Sequence, residues 1–461
     1  MKNNDYEFNN EYPQIPENIQ IRPYQEEAIK KWFDNRLKGI FQMATGTGKT
    51  ITAISAITRL LNLCKVKKLS CGIIIVVPYK SLLEQWVETL RLFKINPIKC
   101  YESKNIWFDK LNKKIEFFNF GITKTIYIIT TNATFNSESF QESISKIQKD
   151  YVLCIDEMHH AATDKYLLNL PEKCIFRLGL SATLESNYNI ERTNELVSYF
   201  GGIVYEFSMK RAIEEGFLTP YYYYPIFIEL SEYEKEEYFM LSKKIGRLIN
   251  VCDKDDECLT SLLMKRSRIL GSAENKLKEL IKLKTKVKNT NYNIFYCGDT
   301  IDENDDKFIY KVNRIVANEL ELKTHTFTSE EDKNERKNIL ERFKQGDLQA
   351  ITAIRCLDEG IDIPELRRAF ILSSSTNPKE FIQRRGRILR KSKSKEYAEI
   401  YDFIVVASLD KRYINELTDE ELIVEKKIFL RELDRFVEFA SLSINEIESH
   451  NKLMQIWDLY D

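Results

Sequence analysis

The chain has 461 residues, a formal net charge of −1, 43% hydrophobic and 30% charged residues. That length suits about two to four globular domains, and the balanced charge excludes a global cationic field, so attraction to nucleic acid must come from local patches. The longest purely aliphatic run, Ile73 to Val77, is far too short for a membrane span, and the polar start MKNNDYEFNN lacks a signal h-region, so a cytoplasmic protein with no membrane partner is expected.

The first strand, Ile40-Phe41-Gln42-Met43, runs into MATGTGKT, Met43 to Thr50, and then into a helix beginning near Lys49. This reads as a phosphate-binding loop. Gly46 and Gly48 let the backbone curl so that the N–H groups of Thr45, Gly46, Thr47 and Gly48 point inward as an anion nest. The helix N-terminus adds partial positive charge, Lys49 a full charge for the β- and γ-phosphates, and the Thr50 hydroxyl a ligand for Mg²⁺. The strict pattern G-x-x-x-x-G-K-[ST] asks for glycine where this chain has Met43.

Further strands are expected at 72–77, 126–130, 151–155, 175–180 and 203–207, with helical patterns between them, which implies a parallel, helix-flanked sheet. The run Tyr151 to Ile155 is continuously apolar, as in a buried parallel strand, and ends in Asp156-Glu157-Met158-His159-His160. Acids at a strand's C-terminal end sit where open α/β sheets bind ligands. Asp156 is placed to hold Mg²⁺ and Glu157 to orient and deprotonate an attacking water.

Tyr221 to Pro225 leads into a helix start at Ser231-Glu232-Tyr233-Glu234-Lys235, and the stretch to about Leu283 is charged, glycine-poor and helical in period, read as a helical insertion. A second strand series follows, at about 293–297, 323–327, 349–353, 368–373 and 398–403. The expected fold is therefore α/β, with two tandem parallel-sheet domains at 1–212 and 289–408, the insertion at 213–288, and a helical tail at 409–461. In the tail, Phe429, Leu433, Phe436 and Ala440 form an apolar face that packs on the second domain by default; a partner-binding helix is the alternative. Basic residues crowd Arg384 to Lys395 and Lys276 to Lys288, the second run reading most simply as a solvated helix face.

Other segments fall in a recognisable order: Arg22-Pro23-Tyr24-Gln25, Val76 to Leu82, Thr130 to Thr134, Gly179-Leu180-Ser181-Ala182-Thr183, Ile294 to Cys297, Ile351-Thr352-Ala353, Cys356 to Pro364, and Gln383-Arg384-Arg385-Gly386-Arg387-Ile388-Leu389-Arg390. Across about residues 20 to 405 the series resembles a superfamily 2 helicase of the DEAD/DEAH-box type, most similar to the XPB, UvsW and restriction-translocase group. The resemblance implies two RecA-like domains binding ATP and Mg²⁺ between them and moving along nucleic acid. It implies that Gln25 reads adenine with Arg22 beside the base, that Ser181 and Thr183 couple the ATP site to strand-contacting loops, and that Gln383 contacts the attacking water and His159. Arg387 and Arg390, at i and i+3 of one helix, are implied to face the γ-phosphate together. Gly360 and Asp362 are implied to reach ribose and nucleic-acid backbone, and Pro78, Lys80, Thr130, Thr131 and Thr352 to contact strand phosphates without reading sequence. The group favours double-stranded or branched DNA, with RNA as an alternative and protein partners at the insertion or tail. An ATP-gated clamp that grips without stepping shares every one of these motifs.

Overall fold

The computed structural model describes residues 12–184, 190–248, 256–300, 306–354, 363–373 and 378–460. The chain divides into two compact units, Met1–Ala212 and Ile213–Asp461. Among the described residues no helix is long and apolar enough to cross a membrane.

The first unit is built on β1 (Lys38–Met43), β2 (Cys71–Val77), β3 (Ile98–Cys100), β4 (Thr125–Thr131), β5 (Tyr151–Ile155), β6 (Phe176–Ser181) and β7 (Ile203–Phe207). They form one sheet in the order β3-β4-β2-β5-β6-β1-β7, every pair parallel. β2 and β5 are buried at every position, because helices cover both faces of a parallel sheet and leave no polar side. β3 is an addition to the expected strands. Its three residues are too few for a readable alternation, and they pair with Ile128 to Thr130 at the sheet edge. Gly179 on β6 is required by close approach: a Cβ there would stand 1.9 Å from the Met158 sulfur.

The second unit has β8 (Tyr221–Glu229), β9 (Asn293–Cys297), β10 (Thr324–Phe327), β11 (Ala350–Ile354), β12 (Arg368–Ile371) and β13 (Ala398–Val406), ordered β10-β11-β9-β12-β13-β8 and again parallel throughout. Here the structure corrects the expected insertion. Its start is not helical: Tyr221 to Glu229 pairs with Ala398 to Val406 as the edge strand of this sheet. Pro225 disguises it. Tyr223 turns its N–H outward to Asn445 Oδ1 at 2.9 Å, so the Pro225 nitrogen, two residues on, also faces outward, where no ladder bond is lost. Helices Glu232–Leu248 and Glu257–Gly271 follow and pack on each other.

The tail closes this edge. Asn445 returns a bond from Nδ2 to Tyr223 O at 2.8 Å, and Ile444 N donates to Tyr221 O at 2.8 Å, so residues 444–445 take the place of a further strand. Helix Asp419–Ala440 packs on β13 with Phe429, Phe436 and Ala440 buried. Arg435 from that helix grips Asp402 of β13 through two bonds of 3.0 Å, and Tyr223 OH donates to the same carboxylate at 2.9 Å. The Asp402 side chain is fully buried and that of Arg435 nearly so. Each charge is matched by the other, as burial requires.

Candidate nucleotide site

β1 ends at Met43, whose side chain is fully buried and whose backbone is still extended. No left-handed conformation is needed there, so methionine replaces the expected glycine and adds core contact. The curl comes later, at Gly46 (φ +88°) and Gly48 (φ +84°). Helix Lys49–Val66 starts directly after Gly48. Lys49 Nζ folds back to donate to Met43 O at 3.0 Å, which holds the ammonium over the loop. Thr47 Oγ1 donates to Ala44 O at 2.7 Å, while the buried Thr45 hydroxyl has no hydrogen-bond partner among the described residues. Thr50 stands half-buried in the first helical turn.

A collar of aromatic and amide groups supports the loop from behind. Tyr24 OH donates to Thr47 O at 2.5 Å, and its ring stacks on Phe207 with centroids 4.1 Å apart. Gln25 Oε1 accepts from Arg22 N at 2.9 Å, and its Nε2 reaches Gly48 O at 3.5 Å. Arg22 donates from a terminal nitrogen to Tyr24 OH at 3.0 Å. The expected base-reading pair, Arg22 and Gln25, is thus wired to the phosphate loop.

β5 delivers Asp156 to the sheet's C-terminal edge, where its N–H bonds Val76 O at 2.9 Å. The carboxylate is buried. Oδ2 accepts from Trp86 Nε1 at 2.8 Å and Oδ1 from Glu157 N at 2.8 Å. Burial pushes its pKa up to about 6; the neighbouring Glu157 charge adds to the rise, and Lys49, Trp86 and the Glu157 N–H pull against it. Glu157 sits in the left-handed region at φ +47°, a strained conformation for a non-glycine residue and one that concentrates at functional sites. Its Oε2 is buried and lies 3.5 Å from His159 Nδ1. His160 Nε2 meets Tyr79 OH at 3.2 Å. Ser181, at the end of β6, donates from Oγ to Thr183 O at 2.6 Å, fixing that turn. Sequence reasoning missed Trp86; the available signal was a buried indole N–H, which needs an acceptor.

In the second unit, helix Pro378–Ile388 carries Gln383 and Arg387, both half-buried. The expected shared helical face of Arg387 and Arg390 is corrected. The helix stops at Ile388, Arg390 N bonds Arg387 O at 3.3 Å in a tightened last turn, and Arg390 forms an antiparallel bridge with Leu218. Gly360 and Asp362 lie outside the described residues.

Several expected nucleic-acid contacts turn inward. Thr130 is fully buried and donates to Cys100 O at 2.7 Å; Thr352 is fully buried and donates to Asn313 Oδ1 at 2.9 Å. Neither hydroxyl can touch a strand phosphate in this conformation. Thr131 caps the short helix Asn132–Phe135, accepting from Thr134 N at 3.4 Å. Pro78 is half-buried, and Lys80 is exposed and ion-paired with Glu102.

A glycine nest, a lysine above it, and a buried Asp156 beside a half-buried Glu157 at the edge of a parallel sheet define a P-loop nucleotide-binding protein. Residues 18–186 match the family described as type III restriction enzyme, res subunit, and residues 274–392 match the helicase conserved C-terminal domain. The DNA 3'-5' translocase XPB2 of Sulfurisphaera tokodaii is 27% identical over 432 residues, 87% of this chain and 85% of that protein. Putative helicase 22 of a Sulfolobus islandicus filamentous virus is 26% identical over 397 residues, and the chain spans 64% of its length. Among solved structures, the ATP-dependent Type ISP restriction-modification enzyme LlaBIII bound to DNA shares the fold with a TM-score of 0.60 at 18% identity, over 92% of this chain and 30% of that one. The Pyrococcus furiosus Hef helicase domain does so at 0.51 and 17%, over 85% and 97%. The chain belongs to superfamily 2 of the helicases, related to XPB-type proteins and restriction-enzyme translocases, and is an enzyme of the ATP-dependent helicase class.

Proposed function

We propose that the chain is a DNA translocase or helicase that couples hydrolysis of Mg²⁺-bound ATP to movement along, or remodelling of, double-stranded or branched DNA. The observation that carries this reading is the convergence of Lys49 and the buried, hydrogen-bonded Asp156 with Glu157 at one edge of the first sheet. The residues fit a metal-bound nucleotide. Asp156 is a compact anion held by two donors, Thr50 is half-buried beside the loop, and the Thr45 hydroxyl awaits a partner. Thr50 and Asp156 would hold Mg²⁺, which when bound offsets charge on the phosphates.

Glu157 takes the proton of the attacking water, and His159 beside it sets its orientation. Lys49 and the N–H groups of residues 45–48 bind the phosphates, and Gln25 transmits the presence of the base to the loop through Gly48. Gln383 contacts the attacking water, and Arg387 and Arg390 act on the γ-phosphate. Binding of DNA drives turnover by favouring the catalytically competent conformation, because a ligand shifts an equilibrium only by its differential affinity. Lys80 contacts backbone phosphate after exchanging Glu102 for it, a small cost at an exposed pair.

The test is steady-state ATPase with single-stranded, duplex and forked DNA and with RNA, run beside strand displacement. Stimulation by duplex or forked DNA is expected. Turnover indifferent to every polynucleotide refutes the coupling, and stimulation without displacement or translocation identifies a clamp.

A further inference from the structure

Arg390, to which the proposed function gives the γ-phosphate, lies beyond its helix, so something else must hold its backbone. Two groups do. Thr219, fully buried, donates from N to Leu389 O at 2.7 Å and from Oγ1 to Arg390 O at 3.2 Å, while Leu218 makes the antiparallel bridge. Lys395 is the second. It lies in a run that reads as a surface patch, yet it is 5% exposed. Its Nζ donates to Ile388 O at 2.7 Å, Leu366 O at 2.8 Å and Pro364 O at 3.0 Å.

All three ammonium protons are therefore used. Ile388 closes the arginine-bearing helix, whose last carbonyls have no intrahelical donors. Pro364 and Leu366 follow closely on the segment containing Gly360 and Asp362. A buried ammonium is costly unless every proton finds an acceptor, and an apolar replacement would strand three carbonyls. Burial lowers the Lys395 pKa to about 7; Glu365 opposes the shift, and Arg367 and Arg390 favour it.

We propose that Lys395 and Thr219 are positioning residues for catalysis, which together fix the backbone from Ile388 to Arg390 and so aim the Arg390 side chain. Leu218 and Thr219 are also among the first residues of the second unit. The first stretch of the second unit is thereby bonded directly to the Leu389–Arg390 backbone. The inference rests on the proposed role of Arg390.

The experiment measures DNA-stimulated ATPase of the full chain for Lys395→Met, Thr219→Val, Arg390→Ala and the doubles with Arg390→Ala. Thermal unfolding of each variant is followed in parallel. Lys395→Met should cut kcat about tenfold or more and Thr219→Val about threefold, each with the KM for ATP changed by less than about twofold. Each double should be no slower than Arg390→Ala alone, because groups acting through one residue are non-additive. If Lys395→Met fails to fold, Thr219→Val, which removes one bond and little volume, decides the question. Losses that multiply with that of Arg390→Ala, or kcat retained in the folded variants, overturn the inference. A wild-type chain without DNA-stimulated turnover overturns the functional reading and this inference with it.

Discussion

Asp156→Asn should stabilise the ligand-free protein at neutral pH while abolishing turnover. The native carboxyl titrates near 6 against 3.8 for an ordinary aspartate, so the native state binds the proton more tightly than the unfolded one. A raised carboxylate pKa destabilises the fold as pH climbs through that window. The cost is near zero below pH 3.8 and complete above 6. At 1.36 kcal/mol per pKa unit it is under about 1 kcal/mol at pH 4 and on the order of 3 kcal/mol at pH 7.5. Asparagine carries no such cost, but it has one acceptor oxygen for the two donors Trp86 Nε1 and Glu157 N, a loss of about 1 kcal/mol. The variant should then be level with or slightly below wild type near pH 4, and about 2 kcal/mol more stable at pH 7.5. For a unit of 212 residues that is a gain of about 4–8 °C in Tm. The assay is thermal unfolding of both proteins without nucleotide across pH 4 to 8, repeated at pH 7.5 with magnesium and a non-hydrolysable ATP analogue. With ligand the order should reverse, because wild type, which keeps the Asp156 metal ligand, gains the larger binding energy. A difference between the two proteins that stays flat with pH would refute the buried-carboxylate reasoning.

Glu157→Gln should bind ATP and trap a DNA-bound state with turnover reduced by two orders of magnitude or more; normal hydrolysis in that variant removes Glu157 as the base. Arg435→Met should cost about 3–5 kcal/mol by leaving the Asp402 carboxylate buried without its partner, and Arg435→Met with Asp402→Leu should recover most of it. Denaturant unfolding checks both, and a single variant within 1 kcal/mol of wild type would show that the pair is solvated. DNA affinity should fall steeply between about 50 and 200 mM salt if phosphate contacts dominate, as a titration by fluorescence anisotropy would reveal.

The phosphate loop and the acid pair were legible because their chemistry is local: a glycine curl before a helix, and acids directly after a buried strand, need no tertiary knowledge. Legibility ended where long-range packing decides. The role of Trp86 depends on a helix that brings it to Asp156 across 70 positions. The strand Tyr221–Glu229 is concealed by Pro225, which becomes permissible only once the outer edge has no ladder to complete and Asn445 caps Tyr223 beside it. Arg390 follows the helical spacing in sequence, yet it leaves the helix because Thr219 claims the carbonyls of Leu389 and Arg390. Thr130 stands near a strand end as expected, whereas Thr352 lies in the middle of β11; both fall in continuously buried runs of a parallel sheet, where their hydroxyls bond to Cys100 O and Asn313 Oδ1.

The basic segments carry the same lesson into function. Lys and Arg from 384 to 395 look like a cationic surface, but Arg384, Arg385 and Lys395 are buried. Arg384 lies over the Tyr296 ring at 4.9 Å, Arg385 bonds Tyr221 OH at 3.2 Å and pairs with Glu438, and Lys395 joins three carbonyls. In the other run, Lys276 is likewise buried, donating to Leu270 O at 2.6 Å, with its pKa lowered to about 8 by desolvation. These cations hold the second unit together and are not available to phosphates. With a net charge of −1, an attraction to DNA must come from local patches, to which these runs can offer only their exposed members, such as Lys278, Lys282, Lys391 and Lys393. Neutralising Lys393, which is exposed in the same run, should then change the salt dependence of DNA binding by one contact at most. By contrast, neutralising Lys276 or Lys395 should lower thermal stability, because carbonyls that now have a donor would lose it.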